Sequence, residues 1–222
     1  MNNVIAFQKK VKKNNNREWF HKHKAEYEVS NKELKGFIHE LTEEMKNHDH
    51  LDEAKTKIFR IYRDVRFSND KTPYTLHRSF SMNRATDALR GGYYMKIQPG
   101  SSFIIGGFFG PEPKDLLHIR KQIQQDPEEL RKILQSKALK NYFGEMFGEQ
   151  VKTAPKGFSK EDPAIDLLRY KSFMLRHDFT DEDLMSKNAA KKISEGYKKM
   201  RPFFDYMSEI LTTDLNGMSL LE

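Results

Sequence analysis

The residues with the most chemistry to offer fall in one short run. Arg60, Arg63 and Arg66 stand three apart around Asp64, and Asp70, Lys71 and Tyr74 follow closely. A guanidinium presents a planar fork of donors matched to a carboxylate or a phosphate, Lys71 adds a compact point charge, and the Tyr74 hydroxyl is a donor to an oxyanion. As an extended strand the run groups Arg60, Tyr62, Asp64 and Arg66 on one face; as a helical turn it groups Arg60, Arg63, Asp64 and Phe67. Either way Asp64 has guanidinium neighbours. They keep it ionised near neutral pH, where it orients the arginines or acts as a general base if chemistry occurs. Asp70-Lys71-Thr72-Pro73-Tyr74 reads as a turn with proline setting the backbone. Interleaved Ile61, Val65 and Phe67 imply that the run is partly buried, so its cations need acceptors.

Three arginines and Lys71 face only Asp64 and Asp70 nearby, a surplus of two positive charges. The expectation is that Arg60, Arg63, Arg66, Lys71 and Tyr74 form a pocket for an anionic small molecule, phosphorylated or carboxylated. A competing expectation is an internal salt-bridge network completed by distant carboxylates, with Tyr74 a core aromatic. A nucleic-acid-binding module is the other alternative. Lys55 to Arg90 holds nine basic and three acidic residues, the whole chain has 39 Lys+Arg against 32 Asp+Glu, and Tyr62, Phe67, Tyr93 and Tyr94 are candidates for stacking on bases. Arginine interleaved with apolar residues favours a compact pocket over a broad track of lysines.

Other constellations are weaker. The eight histidines include no pair with the zincin spacing, and Glu18-x-x-His21 and Asp115-x-x-His118 are short matches to half of a di-iron motif. No metal or other cofactor is expected. The absence of cysteine removes thiolate nucleophiles and Cys-ligated metals and suits a reducing compartment, so the cytoplasm is the expected location. Neither a nucleophile elbow nor a Walker loop occurs, and no pattern specifies a reaction. No secretory signal and no stretch of about 20 apolar residues is seen, so no membrane partner is expected.

The elements that must position the run can be read from periodicity. Residues 1–50 repeat apolar positions at helical spacing, with a break and an N-cap at Asn14, Asn15 and Asn16, so a short helix precedes a long one. Residues 51–110 turn β-branched and aromatic. Tyr93, Met95 and Ile97 alternate with polar neighbours, Pro99-Gly100 turns the chain, and Phe103 to Phe109 form a doubly covered strand whose Gly106 and Gly107 admit a close neighbour. His77 to Met82 is predicted to join the sheet. Residues 111–148 carry two helices, the second opened by Asp126 and Pro127. Residues 163–222 hold a late strand from Lys171 to Phe179 and a closing helix from Ala189 to Leu211. The sum is a single α+β domain with an antiparallel sheet covered by N-terminal, middle and C-terminal helices.

The same residues carry a resemblance. Arg63-Asp64, Arg66-Phe67, Asp70-Lys71 and Tyr74 closely resemble the signature of a bacterial family of conserved hypothetical proteins, domain of unknown function 2461. Asn14-Asn15-Asn16-Arg17-Glu18-Trp19-Phe20, Lys24 and Tyr27 at the start resemble it too, as do Gly91-Gly92-Tyr93-Tyr94, Pro99-Gly100, Pro111-Glu112-Pro113 and Lys171-Ser172-Phe173. The resemblance spans almost the whole chain. It implies a single domain and a site with no assigned activity.

Overall fold

A computed structural model describes residues 1–221. The chain opens with α1 (Asn2–Lys13), α2 (Arg17–Lys22) and α3 (Lys24–Met45). The expected break lies between α1 and α2. The Asn14 side-chain amide donates to the Lys10 carbonyl at 3.0 Å, and Asn16 Oδ1 accepts the Trp19 N–H at 2.9 Å. Each asparagine thereby satisfies a backbone group that a helix end leaves free. The long helix expected after the break is interrupted at His23. Its ring stacks on Trp19 with centroids 4.2 Å apart, and Nδ1–H donates to the Trp19 carbonyl at 2.8 Å, which closes α2 one turn after it begins.

Four strands follow, β1 (Leu51–Ile58), β2 (Arg78–Arg84), β3 (Gly92–Ile97) and β4 (Ser102–Phe108). Then come α4 (Pro113–Gln125), α5 (Pro127–Gln135), α6 (Lys137–Phe143), α7 (Ile165–Leu168), β5 (Phe173–Phe179), α8 (Asp181–Met185), α9 (Ala189–Lys198) and α10 (Arg201–Thr212). The strands form one antiparallel sheet in chain order, β1-β2-β3-β4-β5, so the fold is α+β as expected. Tyr93, Met95 and Ile97 alternate into the interior along β3, and β4 is buried at every position but Phe103. Gly107 has φ +148°, and a Cβ there would collide with the Phe173 carbonyl oxygen, so β4 and β5 meet at a distance only glycine allows.

Other local features differ from expectation. The stretch expected to hold two middle helices holds three, because Ser136 takes an extended ψ of 136° that ends α5 before α6 begins. β1 carries Asp52, Glu53, Lys55 and Lys57 on a largely uncovered edge strand; charges protect such an edge but erase the alternation that marks a strand. The closing helix is two helices, because Pro202 has no N–H to continue α9 and sits in the first turn of α10. The arginine run is neither strand nor helical turn, as described below.

The chain divides into two compact units, each assembled from discontinuous stretches, so no single point in the sequence separates them. One comprises Met1–Met82, Tyr94–Ile104 and Asp178–Glu195. Within it α1 packs on α3, and Phe7, Val11, Phe20, Ile61 and Tyr74 form a buried cluster flanked by Trp19 and Tyr27. The other comprises Asn83–Tyr93, Ile105–His177 and the chain from Gly196 on. There α10 packs on α4 and α5, and the Phe204 ring lies 4.8 Å from Tyr93 and 5.8 Å from Phe108. Among the described residues no helix is long and apolar enough to cross a membrane.

Candidate functional site

The arginine run is a loop pinched at its neck. Tyr62 and Tyr74 form an isolated antiparallel bridge, the Arg63 N–H donates to the Pro73 carbonyl at 2.9 Å, and the Thr75 N–H donates to the Ile61 carbonyl at 2.8 Å. The outer edge of Tyr74 is closed by a side chain. Asn15 Nδ2 donates to the Tyr74 carbonyl at 2.9 Å, and the Tyr74 N–H donates to Asn15 Oδ1 at 3.1 Å. An amide side chain thus replaces the peptide of an absent strand. The neck is held from below as well, because the Tyr74 ring stacks on Phe20 with centroids 4.1 Å apart.

Within the loop each expected site residue has a definite place. Arg63, three-quarters covered, ties the loop to itself: Nη1 donates to Asp70 and to both the hydroxyl and the carbonyl of Thr72, and Nη2 to Ser68 Oγ at 3.4 Å. Asp70 is drawn down to a pKa of about 2, first by the Thr72 backbone N–H, then by the Thr72 hydroxyl and Arg63. Arg66 is exposed and forks onto Asp64 through Nε at 2.9 Å and Nη2 at 2.6 Å, and this contact holds Asp64 below the usual carboxylate range, helped by the Arg66 N–H and the charge of Arg60. Arg60 is exposed and makes no hydrogen bond or ion pair with any described residue. Lys71 Nζ donates to the Val65 carbonyl at 3.0 Å and has no carboxylate partner among the described residues. Tyr74 is buried in the aromatic cluster, where burial, and then Tyr62, raise its pKa. Phe67, expected to help bury the run, is 96% exposed at the loop tip with Arg66 over its ring.

A cavity of about 710 Å³ lies between this loop and the asparagine turn. Arg17, Arg63 and Lys71 bring three cations to its lining against one carboxylate, Asp70. Asn15 and Asn16 supply amides, and Tyr62, Val65 and Pro73 supply apolar wall. Of the expected set the structure therefore brings Arg63 and Lys71 to the cavity, whereas Arg60, Arg66, Asp64 and Tyr74 do not line it. Arg17 was missed by reading the motif alone. It is exposed, has no hydrogen bond or ion pair with a described residue, and lies close enough to Tyr74 to act on its hydroxyl electrostatically. Its signal in the sequence was the Asn14-Asn15-Asn16-Arg17 string, legible as a helix cap but not as the facing wall.

The nine basic residues of Lys55 to Arg90 do not make one surface. Arg78 is buried, donating to Asn31 Oδ1 at 2.9 Å and lying over the Tyr27 ring, and buried Arg84 donates to Ser208 Oγ at 3.0 Å. Of the half-motifs considered for metal, Glu18 pairs with Lys22, Asp115 with Arg90, and His118 is hydrogen-bonded to the Thr213 carbonyl. A family model described as "conserved hypothetical protein (DUF2461)" matches residues 3–206. No curated protein and no solved structure matches the chain.

Proposed function

Because the chain belongs to the DUF2461 family of conserved hypothetical proteins, whose description carries no activity, its function has to be read from its own residues, and we propose that it is a cytoplasmic protein that binds a small organic anion, phosphorylated or carboxylated, in the cavity between the asparagine turn and the arginine loop. One observation carries this reading: Arg17 lines the cavity with no hydrogen-bond or ion-pair partner among the described residues, and Lys71, which lines it too, is anchored among them only on a carbonyl. A guanidinium and an ammonium at one cavity mouth offer two kinds of charge-assisted donor, and Asp70 is already engaged by Thr72 and Arg63. Arg63 shapes the wall, and Arg17 and Lys71 meet the anion. Tyr62, Val65 and Pro73 suit a ligand with a flat or apolar part next to its charged group. The cysteine-free composition supports the assigned compartment.

Isothermal titration of a panel of phosphorylated and carboxylated metabolites tests the proposal. At least one should bind the wild type, and Arg17→Ala and Lys71→Ala should each weaken it by about tenfold, the equivalent of one charge-assisted hydrogen bond, without lowering the melting temperature. A panel with no binder, or equal binding by the variants, would refute it.

A second reading, single-stranded nucleic acid, is favoured by the exposure of Phe67 and Tyr62 among Arg60, Arg66 and Lys71. Exposed aromatics between cations are what base stacking on a backbone-tracking surface needs.

A further inference from the structure

A second cavity, of about 450 Å³, lies in the other compact unit, where the end of α4, the start of α5, α10 and the turn after α10 meet. Its polar character is the reverse of the first. Asp126, Glu129, Glu209 and Asp214 bring four carboxylates to its lining, and no lysine, arginine or histidine lines it. Two glutamines there use donors on the backbone. Gln122 Nε2 donates to the Thr213 and Asp214 carbonyls, and Gln125 Nε2 to the Leu215 carbonyl. The carboxylates of Glu129 and Glu209 remain as acceptors toward the cavity.

Two of the carboxylates have structural work. Asp126 caps α5 by accepting the Glu128 N–H at 3.1 Å, and Asp214 accepts the Asn216 and Met218 N–H groups in its turn. Glu129 and Glu209 do not, and neither side chain has an ion pair among the described residues. The independent observation is Tyr206. Its side chain is 95% buried, from a relative exposure of 5%, it lines the cavity, and its hydroxyl has no hydrogen-bond partner among the described residues. The residue is buried but its oxygen is not, so the ring is fixed in the wall while the hydroxyl, which no group among the described residues engages, is open to whatever enters the cavity. Burial first, then Glu129, Asp126 and Glu209, push this hydroxyl far above the ordinary tyrosine range, so it stays a neutral phenol with a lone pair and a π-face to offer.

We propose that the cavity walled by Tyr206, Glu129 and Glu209 is a binding site for an organic cation, an ammonium or guanidinium group held by the two free carboxylates with the Tyr206 oxygen accepting one of its N–H donors. A cation with several donors satisfies every polar group left over there at once. Among the described residues no group of His, Asp or Glu has the geometry of a metal site, which favours a diffuse, donor-rich cation over a metal ion. The site is independent of the anion cavity, and neither reading requires the other.

Calorimetric titration of the full chain with agmatine, spermidine and an arginine-containing tetrapeptide tests this, with succinate as the anionic control. Binding of agmatine or spermidine identifies a free amine, and binding of the peptide alone identifies a protein side chain; either supports the site. Glu129→Gln and Glu209→Gln should each weaken binding by about tenfold and Tyr206→Phe by about threefold, with melting temperatures near wild type because both glutamates are exposed. Absence of binding by all three cations, or binding unchanged in Glu129→Gln, Glu209→Gln and Tyr206→Phe, would overturn the proposal. Arg17→Ala should leave cation binding intact, which separates this result from the fate of the anion site.

Discussion

Arg63 and Arg17 are the same residue type placed on either side of one cavity, and their surroundings give them opposite work. Arg63 spends its donors on Asp70, Thr72 and Ser68, so its charge goes into holding the loop shut. Arg17 spends none. The state of Asp70 reports on the first of these. A carboxylate with a folded-state pKa of about 2, against about 3.9 in an unfolded chain, stabilises the fold above the higher value, and that contribution is lost as pH falls through the lower one. The loop should therefore loosen between about pH 4 and pH 2. The Asp70 carboxyl carbon, followed by NMR, should titrate with a midpoint near 2 and move only part of the way up in Arg63→Ala, because the Thr72 N–H remains the largest influence. A midpoint already at the ordinary value in the wild type would contradict the account of the loop.

At the scale of elements, the site depends on a junction that no secondary-structure pattern announces. The turn between α1 and α2 and the loop between β1 and β2 are joined by the paired hydrogen bonds of Asn15 with the Tyr74 backbone. Asn15→Ala leaves both Tyr74 groups without that partner in a part-buried place, and should cost about 1–3 kcal/mol, read as a lowered midpoint in urea unfolding. Anion binding should weaken along with stability, unlike the Arg17→Ala result. An unchanged urea midpoint would show that Asn15 merely accompanies the loop. α1, α4, α5, the strands β2 to β5 and the asparagine break were legible in the sequence because each carries its own periodicity or cap, with Asp126 and Pro127 opening α5 where expected, whereas the short α6, α7 and α8 and the breaks inside the two long helical stretches were not, since a turn or two of helix carries too few residues to set a period. The run from Arg60 to Tyr74 was not, since six charges and three spaced apolar residues satisfy two periods equally, and neither is adopted. Val65 and Phe67 illustrate the reason. Covered or exposed, a side chain in a loop answers to its neighbours rather than to a repeat, and Phe67 stands in water.

For the molecule as a whole, a formal charge of +7 conceals two local balances of opposite sign, a cationic cavity beside the arginine loop and an anionic one around Tyr206. The overall excess draws polyanions without specificity, so nucleic acid is best judged by salt. If single strands bind through Arg17, Arg63 and Lys71 alone, fluorescence anisotropy across a salt series should give log K a slope of about −0.7 per phosphate, near −2 in total, against log salt. A much steeper slope, with affinity lost at every salt concentration in Phe67→Ala and Tyr62→Ala, would instead favour the nucleic-acid reading over the small anion. Composition, caps and periodicity were enough to establish an α+β chain, since these depend on residues close together along the polymer. Which cations remain free depended on folding. Arg63 found its acceptors within the loop, Arg78 and Arg84 were buried, and Arg17 arrived from the far side of a helix break, because charge compensation is a matter of distance in space, and only packing decides which carboxylate, carbonyl or open cavity each guanidinium meets.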